Sequence, residues 1–158
     1  MSFPIRPAQR KDAETIARFQ VLMAQETEGA RLEWETVQKG VSRVFDQPEH
    51  GFYLVAERDD QILACTLLTY EWSDWRNGQV LWIQSVYVLS EHRGKGIFPS
   101  IFSYLQQLVF ESKQYVGLRL YVDKKNHAAK AVYQKLGMDS QHYELFEWMP
   151  SSETKQNP

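Results

Sequence analysis

Thirteen consecutive residues constrain this chain more than any others: Val86-Tyr87-Val88-Leu89-Ser90-Glu91-His92-Arg93-Gly94-Lys95-Gly96-Ile97-Phe98, followed by an amphipathic run to about Glu111. They read as a buried strand, a short basic turn with two glycines, and a helix. A helix N-terminus offers unpaired backbone N–H groups and the positive end of a dipole, so it binds anions. Gly94 and Gly96 let the backbone bend until successive N–H groups converge on one cluster of oxygens. Arg93 and Lys95 add formal charge beside them. The local chemistry is that of a phosphate or pyrophosphate site. No Gly-Lys-Ser/Thr follows the glycines, and Gly-x-Gly-x-x-Gly is absent, so the turn is neither a P-loop nor a dinucleotide fingerprint.

The rest of the chain arranges itself around that unit. A strand is expected over Phe3–Pro7, and Asp12 caps a helix carrying Ile16, Phe19, Leu22 and Met23 to about Gln25. Glu26-Thr27-Glu28-Gly29 breaks it, and a second helix follows from Trp34 to Phe45. Strands are expected at Phe52–Glu57 and Gln61–Trp72 around an Asp59-Asp60 turn, and at Gln79–Leu89 after a loop at Ser73–Gly78. The strand Gln79–Leu89 is apolar on both faces, with Val80, Trp82, Val86 and Val88 against Leu81, Ile83, Tyr87 and Leu89, so it belongs in the middle of a sheet. A helix separates it from the next strand, Leu118–Val122, which makes the two parallel neighbours. Asn126 caps a helix that Gly137 stops, a last strand is expected over Ser140–Trp148, and residues 151–158 read as a frayed polar tail. The expectation is one α+β domain over residues 1–150, a mixed central sheet flanked by helices in three layers.

A chain of 158 residues can bury a real core. A net charge of −2 argues against a dedicated nucleic-acid binder. Cys65, the single cysteine, excludes an internal disulfide and a cysteine-rich metal site, and no metal is expected. Met1-Ser2-Phe3-Pro4 lacks a basic-then-apolar leader and no apolar run reaches membrane-spanning length, so a soluble cytoplasmic protein without a membrane partner is expected.

Two motifs together resemble the GCN5-related N-acetyltransferase (GNAT) family. Arg93 and Gly96 fit its coenzyme A pattern, Arg/Gln-x-x-Gly-x-Gly/Ala, with Phe98 where Gly or Ala is usual. Asn126-His127-Ala128-Ala129-Lys130-Ala131-Val132-Tyr133-Gln134-Lys135-Leu136-Gly137-Met138 resembles the family's Asn-x-x-Ala-x-x-x-Tyr-x-Lys-x-Gly-Phe segment, Met138 replacing Phe. Asn126 and Tyr133, seven positions apart, look the same way on a helix, and Ala129 keeps that face low. The order of elements is also the family's.

The resemblance implies an acetyl-CoA-dependent N-acetyltransferase, in which an amine of a small molecule or peptide attacks the acetyl carbonyl directly. It implies that Gly94, Lys95, Gly96, Ile97 and Phe98, with Arg93, hold the cofactor's phosphates, and that Val86, Tyr87 and Val88, on a strand splayed from its neighbour, meet the pantetheine. Asn126 and Ala129 belong to the same cofactor surface, and Tyr133 protonates the departing thiolate. Many relatives carry a carboxylate base on the central strand, at positions matching Trp82, Gln84 or Ser85; none of these is acidic here. Gln84 and Ser85 either satisfy structural hydrogen bonds or orient a water that relays the proton. Glu26, Glu28, Glu71 and Asp74 are the other candidate bases, and an amine arriving neutral needs none. The loop from Tyr70 to Gly78 is similar in position to the substrate loop of diamine acetyltransferases. Trp72 and Trp75 can pack a carbon chain there, with Glu28, Glu71 or Asp74 on its ammonium, or the same residues can make a dimer interface. Family members are often homodimers. Two other classes compete with the enzyme: an acyl-CoA-binding sensor without turnover, and an ATP-binding module, which lacks the magnesium-ligating Ser or Thr after the glycines.

Overall fold

A computed structural model describes residues 2–150; the expected tail at 151–158 lies outside the described residues. The chain forms two compact units, Met1–Leu120 and Tyr121–Pro158.

The first unit holds a five-stranded sheet in the order β1 (Ile5–Pro7), β2 (Phe52–Arg58), β3 (Gln61–Ser73), β4 (Gly78–Val88) and β5 (Tyr115–Arg119). Neighbours are antiparallel except β4 and β5, which run parallel because α3 (Ile97–Glu111) carries the chain from one to the other. Before the sheet's longer strands come α1 (Ala13–Glu28) and α2 (Trp34–Asp46). Gly29 ends α1 in the left-handed region at φ 61°, and the Glu33 carboxylate caps α2 by accepting from the N–H groups of Glu35 and Thr36 at 3.1 and 2.8 Å. Asp59 and Asp60 both take positive φ, which gives the β2–β3 turn the hand that matches strand twist.

Side chains from alternate strand positions build a core on each face. Leu54, Ala56, Leu68 and Ile83 pack with Ile97, Ile101 and Leu105 of α3. Tyr53, Val55, Cys65 and Tyr87 pack with Ile16, Ala17 and Phe19 of α1 and Val41 of α2. Ile83 and Tyr87 are four residues apart, so in a regular strand they would share a face. They lie on opposite faces because β4 bulges: Leu67 pairs with Ser85 and Leu68 with Ile83, which leaves Gln84 as the extra residue. The expected faces of β4 are therefore exchanged beyond the bulge, and Val86 and Val88 pack on the α3 side beside Ile83.

Strand β5 lies three residues earlier than the apolar stretch Leu118–Val122 predicts. Pairing decides it: Gln79 faces Tyr115, Leu81 faces Leu118, and the ladder ends at Trp82 and Arg119, just short of the bulge. The second unit contains α4 (His127–Lys135), capped by the Asn126 side chain and followed by Gly137 at φ 86°. Residues 140–148 form no strand. Their alternation of polar and apolar groups says which face a strand would bury, but the described part of that unit holds no second strand to complete a ladder.

Candidate active site

The turn after β4 is built by backbone geometry. Arg93 is extended, and Gly94 and Gly96 take φ of 72° and 86°. Beyond the chain neighbours, a Cβ at either glycine would meet no atom of the described residues within 4 Å, so glycine stands there for its dihedral angles. Gly96 is the N-cap of α3, and among the described residues no side chain caps the helix. Ser100 returns its N–H to the Gly96 carbonyl at 3.2 Å; the N–H groups ahead of it belong to the turn that a helix cannot satisfy internally. Pro99 sits within that turn, where a missing N–H costs nothing. Ile97 is buried, and the Phe98 ring lies along α3 against Phe102, centroids 6.3 Å apart, so the large residue in a small residue's place has its own seat. Lys95 is exposed.

Beside the turn, β4 has an open edge. From Ile83 to Val88 it has no ladder partner on the β5 side among the described residues. The Leu89 N–H donates to the Leu63 carbonyl of β3 at 2.9 Å. Alternation then turns the main-chain groups of Val86 and Val88 away from β3 and those of Tyr87 towards it. Of the three β4 residues assigned to cofactor binding, Val86 and Val88 thus present backbone to the open edge. Tyr87 presents its side chain to α1 instead. The Val88 carbonyl accepts from Arg93 Nε at 2.9 Å.

Polar side chains cluster around the bulge on the α1/α2 face. Gln84 donates to Thr69 Oγ1 at 2.8 Å, a partner from β3 that the sequence alone did not mark. Ser85 Oγ is buried and has no hydrogen-bond partner among the described residues. Glu71 accepts from Trp82 Nε1 at 3.1 Å and pairs with Arg119 at the end of β5. At the other end of β4, Glu26 in the last turn of α1 accepts from the Tyr87 hydroxyl at 3.0 Å and pairs with Arg93. The Arg93 bond holds the Glu26 carboxyl below its ordinary range; burial, then Glu26 itself, raises the Tyr87 phenol. Glu26, weighed in the sequence only as a candidate base, is the acid that touches the glycine turn.

The remaining candidates lie on other elements. Glu28 ends α1, exposed. Asp74, Trp72 and Trp75 lie on the β3–β4 hairpin, the two indoles 61% and 89% exposed. That hairpin is at the start of β4 and the glycine turn follows its end; eleven strand residues at about 3.3 Å of rise put roughly 30 Å between them. In the second unit, Asn126 Oδ1 accepts from the Ala129 N–H at 3.1 Å, so the asparagine is the cap of α4 and stands outside its helical face. Tyr133 is half-buried, and burial pushes its phenol pKa up, which keeps the hydroxyl protonated at neutral pH.

The acetyltransferase (GNAT) family model matches residues 16–138, which takes in the bulged strand, the glycine turn and α4. The chain belongs to this family. A possible acetyltransferase from Clostridium difficile 630 is 42% identical over 96% of this chain and 99% of that one, with a TM-score of 0.87. A ribosomal-protein-alanine N-acetyltransferase from Brucella melitensis biovar Abortus 2308 is 15% identical, covering 94% of this GNAT chain and 100% of its own, with a TM-score of 0.76. An aminoglycoside N-acetyltransferase in complex with CoA is 12% identical, covering 94% and 95%, with a TM-score of 0.75. The last two share the fold. No curated protein matches the chain.

Proposed function

We propose that this GNAT protein is an N-acetyltransferase that moves an acetyl group from acetyl-CoA to a primary amine of a small molecule or a peptide. The observation that carries the reading is the meeting of an uncapped α3 N-terminus, entered through two left-handed glycines, with the unladdered edge of β4. The first suits a pyrophosphate and the second suits the amides of a pantetheine arm, which would complete the hydrogen bonding of Val86 and of the Val88 N–H as a strand would.

Acetyl-CoA supplies an activated acyl group and a thiolate leaving group. In this reading the N–H groups from Gly94 to Phe98, with Lys95, hold the phosphates. The open β4 edge orients the acyl end, and a main-chain N–H next to the bulge, at Val86, receives the developing oxyanion. Ser85, with Gln84 fixed on Thr69, orients a water that carries away the amine's proton; a buried hydroxyl without a partner among the described residues supports that role. Tyr133 donates its proton to the departing thiolate. Asn126 and Ala129 serve the cofactor by fixing the start of α4. Glu28, Glu71, Trp72, Asp74 and Trp75 remain the proposed acceptor contacts.

The test is thiol release from acetyl-CoA across polyamines, amino acids, aminoglycosides and short peptides, with wild type and Tyr133→Phe. Release with one amine class, lowered about 10²-fold in kcat in the variant at unchanged acetyl-CoA affinity, supports the assignment. Equal losses in kcat and affinity would make Tyr133 structural. Saturable acetyl-CoA binding with no release would favour a sensor, the reading that the lack of a carboxylate at Trp82, Gln84 and Ser85 supports.

A further inference from the structure

Resting on that reading, we infer that Glu26 is a stand-in for the cofactor's pyrophosphate: it occupies Arg93 until acetyl-CoA arrives, and Arg93 then exchanges one anion for the other. Four contacts close a ring between α1, β4 and the glycine turn. Glu26 pairs with Arg93, Arg93 Nε donates to the Val88 carbonyl, the guanidinium carbon stands 5.5 Å from the Tyr87 ring centroid, and the Tyr87 hydroxyl donates back to Glu26.

The location of Glu26 makes it a tenant that can be displaced. It lies in the last turn of α1, next to the negative end of the helix dipole, where a carboxylate gains nothing from the helix. What holds it there is the cation from the turn and one phenolic hydroxyl. Arg93 is attached to the turn itself, immediately before Gly94, and its side chain is 49% exposed. Its Nε lies on Val88 and one terminal nitrogen on Glu26, so the fork can swing about the Val88 bond without leaving the strand. A pyrophosphate on the turn carries more charge than one carboxylate and sits at the positive end of α3. Binding therefore breaks a partly exposed ion pair, and the energy of that pair is subtracted from the cofactor's affinity.

An ion pair of this exposure corresponds to about a two- to fivefold change in an equilibrium constant. Calorimetric titration of the full chain with acetyl-CoA at low salt reads it. Glu26→Gln is expected to bind two- to fivefold more tightly than wild type, the gap closing as salt rises. Against an Arg93→Gln background the same change is expected to alter nothing, since the competition runs through Arg93. Weaker or unchanged binding by Glu26→Gln overturns the exchange, as does an undiminished gain in the Arg93→Gln background, which would mean simple charge repulsion. Glu26→Asp provides a second variant: it keeps the charge, shortens the reach and is expected to tighten binding too, whereas repulsion predicts no gain. Wild type that fails to bind acetyl-CoA overturns the cofactor reading itself; wild type that binds while both variants match it overturns only the exchange.

Discussion

Gly96 is held to its type by an angle and, on the proposed reading, by a ligand as well. Its φ of 86° strains any residue with a Cβ by about 1–2 kcal/mol, yet beyond its chain neighbours no atom of the described residues lies within 4 Å of where that Cβ would be. Gly96→Val is therefore expected to remain folded, with a slightly lowered Tm, and to lose acetyl-CoA binding because the new side chain fills the space that the phosphates need. Calorimetry with a melting curve on the same sample separates the two effects. Normal binding by the folded variant would remove the turn from the cofactor site. At this scale the sequence was readable wherever a residue type answers to local backbone: Gly94 and Gly96 announce positive φ, Asn126 announces a cap, and Gly137 a stop. It was not readable where a side chain's partner comes from far along the chain. Nothing near Arg93 points to Glu26, 67 positions away, and nothing near Gln84 points to Thr69.

At the scale of elements, the bulge in β4 has more consequence than any single side chain. It moves Tyr87 to the α1 face, where it meets Glu26, and it coincides with the end of the β4–β5 ladder. The adjacent polar pair Gln84-Ser85 in an otherwise apolar strand was its visible trace. Reading faces by strict alternation passed over it, because a period of two has no room for an extra residue. The short β1 shows a different dependence, on charge. Arg6 of β1 pairs with Glu57 of β2 and with Asp12 in the turn before α1, whose carboxylate also accepts from the Gln9 N–H at 2.7 Å. Burial raises the Asp12 pKa, but the Arg6 and Gln9 bonds outweigh it and the net displacement is downward. A carboxyl depressed on folding stabilises the native state above its unfolded pKa of about 4, and that stability is lost as pH falls through the folded value. Asp12→Asn is expected to cost about 2 kcal/mol at pH 7, and the difference in Tm from wild type should shrink as pH drops below about 4. A gap that is constant with pH would mean that packing, not charge, is what the substitution disturbs.

For the whole molecule, the run of elements from β1 to α4 was legible because each is marked locally, by apolar period, cap or turn. The Ser140–Trp148 strand was not reliable for the same reason: alternation describes one segment, while a ladder requires two. Scale also bears on where the acceptor meets the protein. The glycine turn follows the end of β4 and the Trp72–Trp75 hairpin precedes its start, roughly 30 Å away along the strand. The bulge and the open edge lie between them. Along the strands, Glu71, Trp82 and Arg119 lie nearer Ser85 than Trp75 does. Only a long acceptor, a polyamine or a peptide, spans from the bulge to the hairpin. Trp75 is 89% exposed, so Trp75→Ala should change stability by less than about 0.5 kcal/mol and isolates its part in substrate contact. With a long acceptor found in the amine panel, the variant is expected to raise KM severalfold at unchanged kcat, the signature of binding that is equal in ground and transition states. An unchanged KM would remove the hairpin from the proposed acceptor contacts and leave Glu28 and Glu71 among them.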